Sequence, residues 1–250
     1  MKASPLGRRL VTPAAYLVLI AAWEGLTRYF LVPSWMLPAP SQIAVAAVEW
    51  APELASNALV TLRETVFGFL LALVLSLPLA ALIAFSPLAR RLVYPVLLGL
   101  QSIPKVALAP LVLLWFGFSE WPKIVIVVLV CFFPILVNVV AGFDAVPKAM
   151  LDLMRSLGAS QHMILRRLRI PAALPALFTG AKVAITFAVI GAVIGEFVSA
   201  QSGLGYLILI TTSQSQTPVA FAALVLLTVM SVALFYMLEY LEKQVVTWSQ

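Results

Sequence analysis

The sequence predicts an all-α polytopic membrane protein of about six transmembrane helices, and three observations carry that expectation. Of the 250 residues, 63% are apolar and only 10% charged, whereas a soluble domain carries about a quarter charged residues. The apolar runs are long enough to cross a hydrocarbon core of about 30 Å as helices, which takes roughly 20 residues. They do not alternate as barrel strands do, and in lipid only helices and closed barrels satisfy every backbone polar group. A mean hydropathy of +1.07 agrees. The length suits one membrane domain over residues 1–250, with a core at about 58–240.

The first element is a span near 11–31. Lys2, Arg8 and Arg9 before an apolar run resemble the start of a signal peptide. The run continues to Phe30, however, so it reads as a retained helix. "VPSWMLPAPSQ" then breaks the chain, and residues 41–52 suit a short interfacial helix. Further spans lie near 58–86, 92–118, 122–142, 174–200 and 218–240. Pro87 with Arg90 and Arg91 marks one turn, and "GFSEWPK" a second. Residues 143–173 form a long polar loop, and "AQSGLGYLILITTSQSQTP" connects the last two spans. Trp35, Trp50, Trp115 and Trp121 fall near outer ends, as interfacial anchors do.

Six spans put both termini on one side, and the charges say which. That side carries Lys2, Arg8, Arg9, Arg90, Arg91, Lys148, Arg155, Arg166, Arg167, Arg169, Lys182 and Lys243. The outer half and midplane carry Arg28, Arg63, Lys105 and Lys123. Twelve against four makes both termini and the long loop cytoplasmic by the positive-inside rule. The same distribution accounts for the net charge of +6 without a nucleic-acid partner, because the basic residues lie between spans. Cys131, the only cysteine, sits in an apolar run and reads as a small buried hydrophobe. His162 reads as a solvated loop residue. There is no G-x-x-x-x-G-K-[ST] phosphate loop and no nucleophile–base set, so the chain does not read as an enzyme.

The polar loop has internal design. Pro147 suits a first helical turn and Gly158 the position just past a helix end. Between them Met150, Leu151, Met154 and Leu157 make an apolar face, beside Lys148, Asp152 and Arg155. Ser160 caps a second short helix with Met163, Ile164 and Leu168 beside Arg166, Arg167 and Arg169. Pro171 and Pro175 lead into the next span. A positive-inside signal needs charge alone. Capped amphipathic helices suit either a protein groove or the membrane surface.

Residues 150–175, "MLDLMRSLGASQHMILRRLRIPAALP", resemble the cytoplasmic loop of permeases of binding-protein-dependent ABC importers. That family's signature reads E-A-A, three residues, Gly, nine residues, I-x-L-P. Asp152-Leu153-Met154 stand at the E-A-A positions, with larger residues in place of both alanines. Gly158 matches, and Leu168-Arg169-Ile170-Pro171 stand at I-x-L-P. "LPAPSQ", "TLRETVFGF", "APLVLLWFGF", "FFPILVN" and "GEFVSAQSGLGYLI" resemble the nitrate, sulfonate and taurine branch. The last two spans look most like permeases for thiamine pyrimidine precursors or riboflavin. The resemblance implies a type I importer permease fold in a bacterial inner membrane. It implies a second permease chain, two ATP-binding subunits that hold ATP and magnesium, and an external substrate-binding protein. Nothing here resembles a fused second half, which favours a homodimer. This chain then needs no cofactor of its own. It implies ATPase coupling at Lys148, Leu151, Asp152, Leu153, Met154, Arg155, Leu157 and Gly158. The solute is expected to be small and polar or anionic: a sulfonate, taurine, nitrate, or a nitrogen heterocycle.

Polar groups inside spans each need a reason, since a charge at mid-bilayer costs about 2.5–3.5 kcal/mol on insertion scales. Lys105 follows Pro104, with Pro110 beyond; it either bonds carbonyls freed by the prolines or faces a water-filled pathway. Glu196, before a Gly-rich turn, reads as an interfacial carboxylate, an outer gate or a docking surface. Asn138 suits helix–helix contact or a solute ligand. Glu24 and Arg28, four apart, suit a mutual pair. Gly191 and Gly195 make a G-x-x-x-G for close helix approach, in this chain or its partner. The rival from another class is an ion-coupled secondary carrier. It predicts repeated interrupted spans and acidic groups at the midplane. The sequence presents neither.

Overall fold

A stripe of small residues along one helix sets the packing. Ala184, Ala188 and Ala192 are fully enclosed, with Gly180, Gly191 and Gly195 beside them. Without a hydrophobic drive between helices in lipid, close backbone approach is what associates them. A Cβ on Gly195 would lie 2.9 Å from the Lys123 Cα, and one on Gly191 3.1 Å from the Val127 Cα. The G-x-x-x-G therefore serves a contact within this chain.

The computed structural model describes residues 5–199 and 201–248, with side chains from Ala14 onward. Lys2 and Ala200 lie outside the described residues, as do the side chains of Arg8 and Arg9. In chain order the helices are α1 (Pro5–Tyr29), α2 (Pro40–Glu49), α3 (Ala51–Phe85), α4 (Pro87–Gln101), α5 (Lys105–Phe116) and α6 (Trp121–Asp144). Then come α7 (Lys148–Ser156), α8 (Gln161–Ile164), a π-helical turn (Leu165–Arg169), α9 (Ile170–Ser199), α10 (Leu204–Ser213) and α11 (Thr217–Val245). Among the described residues, four helices are long and apolar enough to cross a membrane, five if the bent pair α4–α5 counts as one span. The helix α1 stands where the first span is expected, with Tyr16 to Ile20 all exposed.

The centre is α6 between α3 and α9. Val127, Cys131, Ile135, Leu136 and Val139 are buried on α6. Cys131 is the expected small buried residue, and its Sγ donates to the Ala184 carbonyl at 3.2 Å. α11 is tied to α9 by Lys182 Nζ and Glu242 Oε2 at 2.6 Å. The expected interfacial helix is α2, with Pro40 at its start and Gln42 Oε1 accepting from the Ala39 N–H at 3.0 Å. The expected Glu24–Arg28 pair forms at 2.5 Å. It anchors α2 as well, because Ser41 donates to Glu24 from its N–H at 3.0 Å and its Oγ at 2.8 Å.

Three segments differ from the sequence reading. The span expected over 92–118 is broken: α4 and α5 meet at 98°. Pro104 has no N–H to continue the ladder and drives Ile103 away from helical geometry. Pro78, Pro95, Pro110 and Pro134 lie inside helices, so proline alone did not mark the break. The second loop helix is not separate from span five; Gln161–Ser199 is a single 39-residue helix. The wider π turn at 165–169 reroutes the backbone bonds where Pro171 cannot donate. The last connection contains α10, whose ten residues rise about 15 Å, half a hydrocarbon core.

Candidate functional site

Two regions concentrate the polar chemistry, one at each end of the 161–199 helix. At the loop end, α7 begins after Pro147 and ends in a double backbone cap. The Gly158 N–H donates to the Arg155 carbonyl and the Ala159 N–H to the Met154 carbonyl, both at 3.0 Å. Gly158 has φ +77°, the left-handed conformation that this closure requires and that costs other L-residues about 1–2 kcal/mol. The Ser160 Oγ accepts from the Met163 N–H at 3.2 Å, the cap expected for the next helix. α7 buries none of its residues. Met150, Leu153 and Leu157 are 52%, 59% and 73% exposed, while Leu151 and Met154 are half-buried. Asp152 pairs with Arg155 at 3.2 Å. Lys148 is exposed at the start of the helix and His162 is exposed beyond it, as expected. An amphipathic helix closed by a double cap at its C-terminal end thus presents its apolar side outward.

At the other end, Glu196 is not at the surface: it is 1% exposed. An exposed docking carboxylate is therefore replaced by a buried organiser. Thr61 Oγ1 donates to Glu196 Oε1 at 2.7 Å, and the Gly205 N–H donates to Oε2 at 2.5 Å. The Leu204 N–H donates to Thr61 Oγ1 at 2.8 Å and the Gly203 N–H to Asn57 Oδ1 at 2.7 Å. The first turn of α10 is thereby pinned to α3 and α9 through its own backbone donors, which no preceding residue of its helix can satisfy. Glycine is required at 203, where φ is +113° and any side chain would collide with the Glu196 carboxylate.

Beside this network Lys123 forms an ion pair with Glu64. The two side chains are 6% and 5% exposed. Lys123 is thus a buried, paired charge, which the count of basic residues did not reveal. Losing one partner of such a pair typically costs 3–5 kcal/mol, because the other is left charged and unsolvated. Sequence reasoning missed Asn57, Thr61, Glu64 and the role of Lys123. The available signal was two ionisable residues in otherwise apolar helices, each needing a partner.

Lys105 lies apart from both regions, at the start of α5 just after the bend. Its Nζ donates to the Gln101 carbonyl at 2.6 Å and stands 5.5 Å from the centre of the Phe133 ring. It thus bonds a carbonyl at the break. Asn138, half-buried on α6, donates to the Pro134 carbonyl at 2.8 Å. A Cβ on Gly180 of α9 would lie 2.7 Å from its Cβ, so Asn138 stands in the α6–α9 contact. The structure brings together neither Lys105 with Glu196 nor either of them with α7.

The architecture matches solved importers. A chain of the MetNI methionine ABC transporter in inward-facing form superposes with TM-score 0.65 at 24% identity, over 80% of this chain and 97% of that one. A chain of an amino acid ABC transporter gives 0.62 at 22%, over 80% and 98%. Among relatives by sequence, the formylaminopyrimidine transport permease protein ThiX of Halalkalibacterium halodurans is 35% identical over 93% of each chain. The riboflavin transport system permease protein RibX of Chloroflexus aurantiacus is 34% identical over 94% of this chain and 89% of its own. The putative aliphatic sulfonates transport permease protein SsuC of Bacillus subtilis is 30% identical over 96% and 86%. The family model for the inner membrane component of binding-protein-dependent transport systems matches residues 72–247. The chain belongs to that family: it is the membrane-spanning, non-catalytic permease subunit of an ATP-driven ABC importer, whose ATP is hydrolysed by a partner subunit.

Proposed function

We propose that the chain works as a homodimer with both termini cytoplasmic, and couples to its two ATPase subunits through α7, at Lys148, Leu151–Arg155, Leu157 and Gly158. The observation that carries this is the exposed apolar side of a helix that starts after Pro147 and is closed at its end by the Gly158 cap. Covering Met150, Leu153 and Leu157 removes apolar surface worth about 25 cal/mol per Å², and the fixed C-terminal end of the helix keeps the ordering cost of docking low. The solute is small and polar or anionic, with nitrogen heterocycles favoured by the relatives named for formylaminopyrimidine and riboflavin. Lys105 and Asn138 serve the pathway and Glu196 the outer gate, where its network fixes α10. The whole chain acts as one permease domain, about 58–240 forming its core.

An ion-coupled carrier predicts a second interrupted span in a matching position. Among the described residues, only α4–α5 forms such a bent pair. Co-purification with the ATPase subunit, followed by substrate-stimulated hydrolysis, tests the coupling reading. Leu157→Asp puts a charge into a dry contact, and Gly158→Val adds about 1–2 kcal/mol of backbone strain. Both variants are expected to reach the membrane normally and lose ATPase association at least tenfold. Unchanged association and hydrolysis in both would refute coupling through α7.

A further inference from the structure

Behind α7 lies a cavity of about 460 Å³ whose lining includes Phe85, Arg155, Gln161, His162, Leu165 and Arg169. Three guanidinium groups gather at this end of the molecule. Arg90 is bound to both oxygens of Asp144, at 2.6 and 2.8 Å, and Arg155 to Asp152 at 3.2 Å. Among the described residues, Arg169 has no carboxylate within ion-pair distance. Its Nη1 donates to the Ala84 carbonyl at 3.3 Å, and its guanidinium lies 4.6 Å from the centre of the Phe85 ring. Its Nε is buried with no acceptor. Arg169 is therefore fixed in place by stacking and a backbone bond, yet has no ion-pair partner of its own.

We propose that this cavity binds a phosphate-bearing anion, either the headgroup of an acidic phospholipid or free phosphate. A planar guanidinium with donors left over matches phosphate oxygens better than a lysine does. Gln161 and His162 add exposed polar groups at the rim, and Arg155 carries the site onto α7. The two nearby carboxylates, Asp144 and Asp152, are each engaged by their own arginine, so three guanidinium groups face two acids. Basic pockets at the cytoplasmic ends of membrane helices take anionic headgroups on the same grounds. Occupancy would join α7, the end of α3 and the start of the long helix through one ligand. The proposal does not rest on the solute or on ATPase docking, and its test variants leave Arg155, which both surfaces share, unchanged.

The test uses the full-length chain, alone or with its ATPase, reconstituted in phosphatidylglycerol or phosphatidylcholine nanodiscs. Lipid retained after detergent extraction is counted by native mass spectrometry, and binding of radiolabelled inorganic phosphate by equilibrium dialysis. The expected result is retention of phosphatidylglycerol, saturable phosphate binding, or both, falling at least tenfold in Arg169→Gln and recovering in part in Arg169→Lys. The double variant Gln161→Ala/His162→Ala changes only exposed side chains and should weaken binding severalfold with the fold intact. Phosphatidylglycerol that inorganic phosphate does not displace identifies a headgroup site; displacement identifies a phosphate site. Absence of both kinds of binding in the wild-type chain, or equal binding in wild type and all three variants, would overturn the proposal.

Discussion

Glu196→Ala is the most informative single change. It deletes an acceptor that holds the Gly205 N–H at 2.5 Å and the Thr61 hydroxyl at 2.7 Å. The two donors do not suffer equally. Thr61 can turn its proton to the Asn57 carbonyl, already 3.2 Å away, and keep accepting from Leu204. The Gly205 N–H has no such alternative, and a buried orphan donor costs about 1–3 kcal/mol. The void left by the missing side chain adds about 1–2 kcal/mol at this 1% exposed position, less than a full core truncation because a polar group is removed. The sum is about 2–5 kcal/mol, which corresponds to a factor of roughly 30–5000 in a local opening equilibrium. Glu196→Gln should behave differently. Its amide oxygen can take the Gly205 N–H while its NH₂ donates to Thr61, so the loss should stay below about 1 kcal/mol. Amide exchange across residues 203–213, measured on the assembled importer, reads both numbers. Fast exchange in the alanine variant with near-normal exchange in the glutamine variant, accompanied by impaired uptake in the former alone, is the expected pattern. Full protection of 203–213 in Glu196→Ala would refute the account of how α10 is held.

Two further outcomes follow from other regions. Lys105→Met keeps a similar length without the charge and should lower uptake about tenfold or more, the effect of about 1.4 kcal/mol, with assembly unchanged; Lys105→Glu should be worse for an anionic solute, and full uptake by both would place Lys105 outside the pathway. A cysteine at Ser160 should resist an impermeant thiol reagent in intact cells and react in inverted vesicles, and labelling of intact cells would refute the cytoplasmic assignment of the loop.

What could be read in advance depended on how local the cause was. Pro147, Gly158 and Ser160 announce helix ends because capping is decided within a few residues, and the structure has a helix boundary at all three, with hydrogen-bonded caps at Gly158 and Ser160. Gly191 and Gly195 declare a close contact, although only the fold says that the other helix is α6. Glu24 and Arg28 meet because helical geometry brings positions four apart together. The buried pair of Glu64 and Lys123 is separated by 59 residues, and nothing in either neighbourhood names the other. The bend between α4 and α5 was hidden for another reason. The chain has prolines in several helices, and whether one breaks or is absorbed depends on what neighbouring helices supply to the freed carbonyls. The π turn escaped notice because its residues, Leu165–Arg169, look like an ordinary amphipathic segment. Glu196 drew attention for its cost in lipid, but its partners lie on α3 and α10, so its burial was not foreseeable.

The uninterrupted run from Gln161 to Ser199 has a mechanical implication. From Gln161 to Glu196 is about 50 Å at 1.5 Å per residue. A rod of that length turned by about 5° at one end shifts the other by roughly 4–5 Å, more than the reach of any hydrogen bond around Glu196. The gearing is therefore steep: small angular strokes delivered at the loop would arrive at the far face as bond-breaking displacements, with no intermediate relay. The built-in slack lies in the segment from the π turn to Pro175, which holds two of the irregularities at which helices bend. Its stiffness would then set how much of each stroke is transmitted and how much is absorbed.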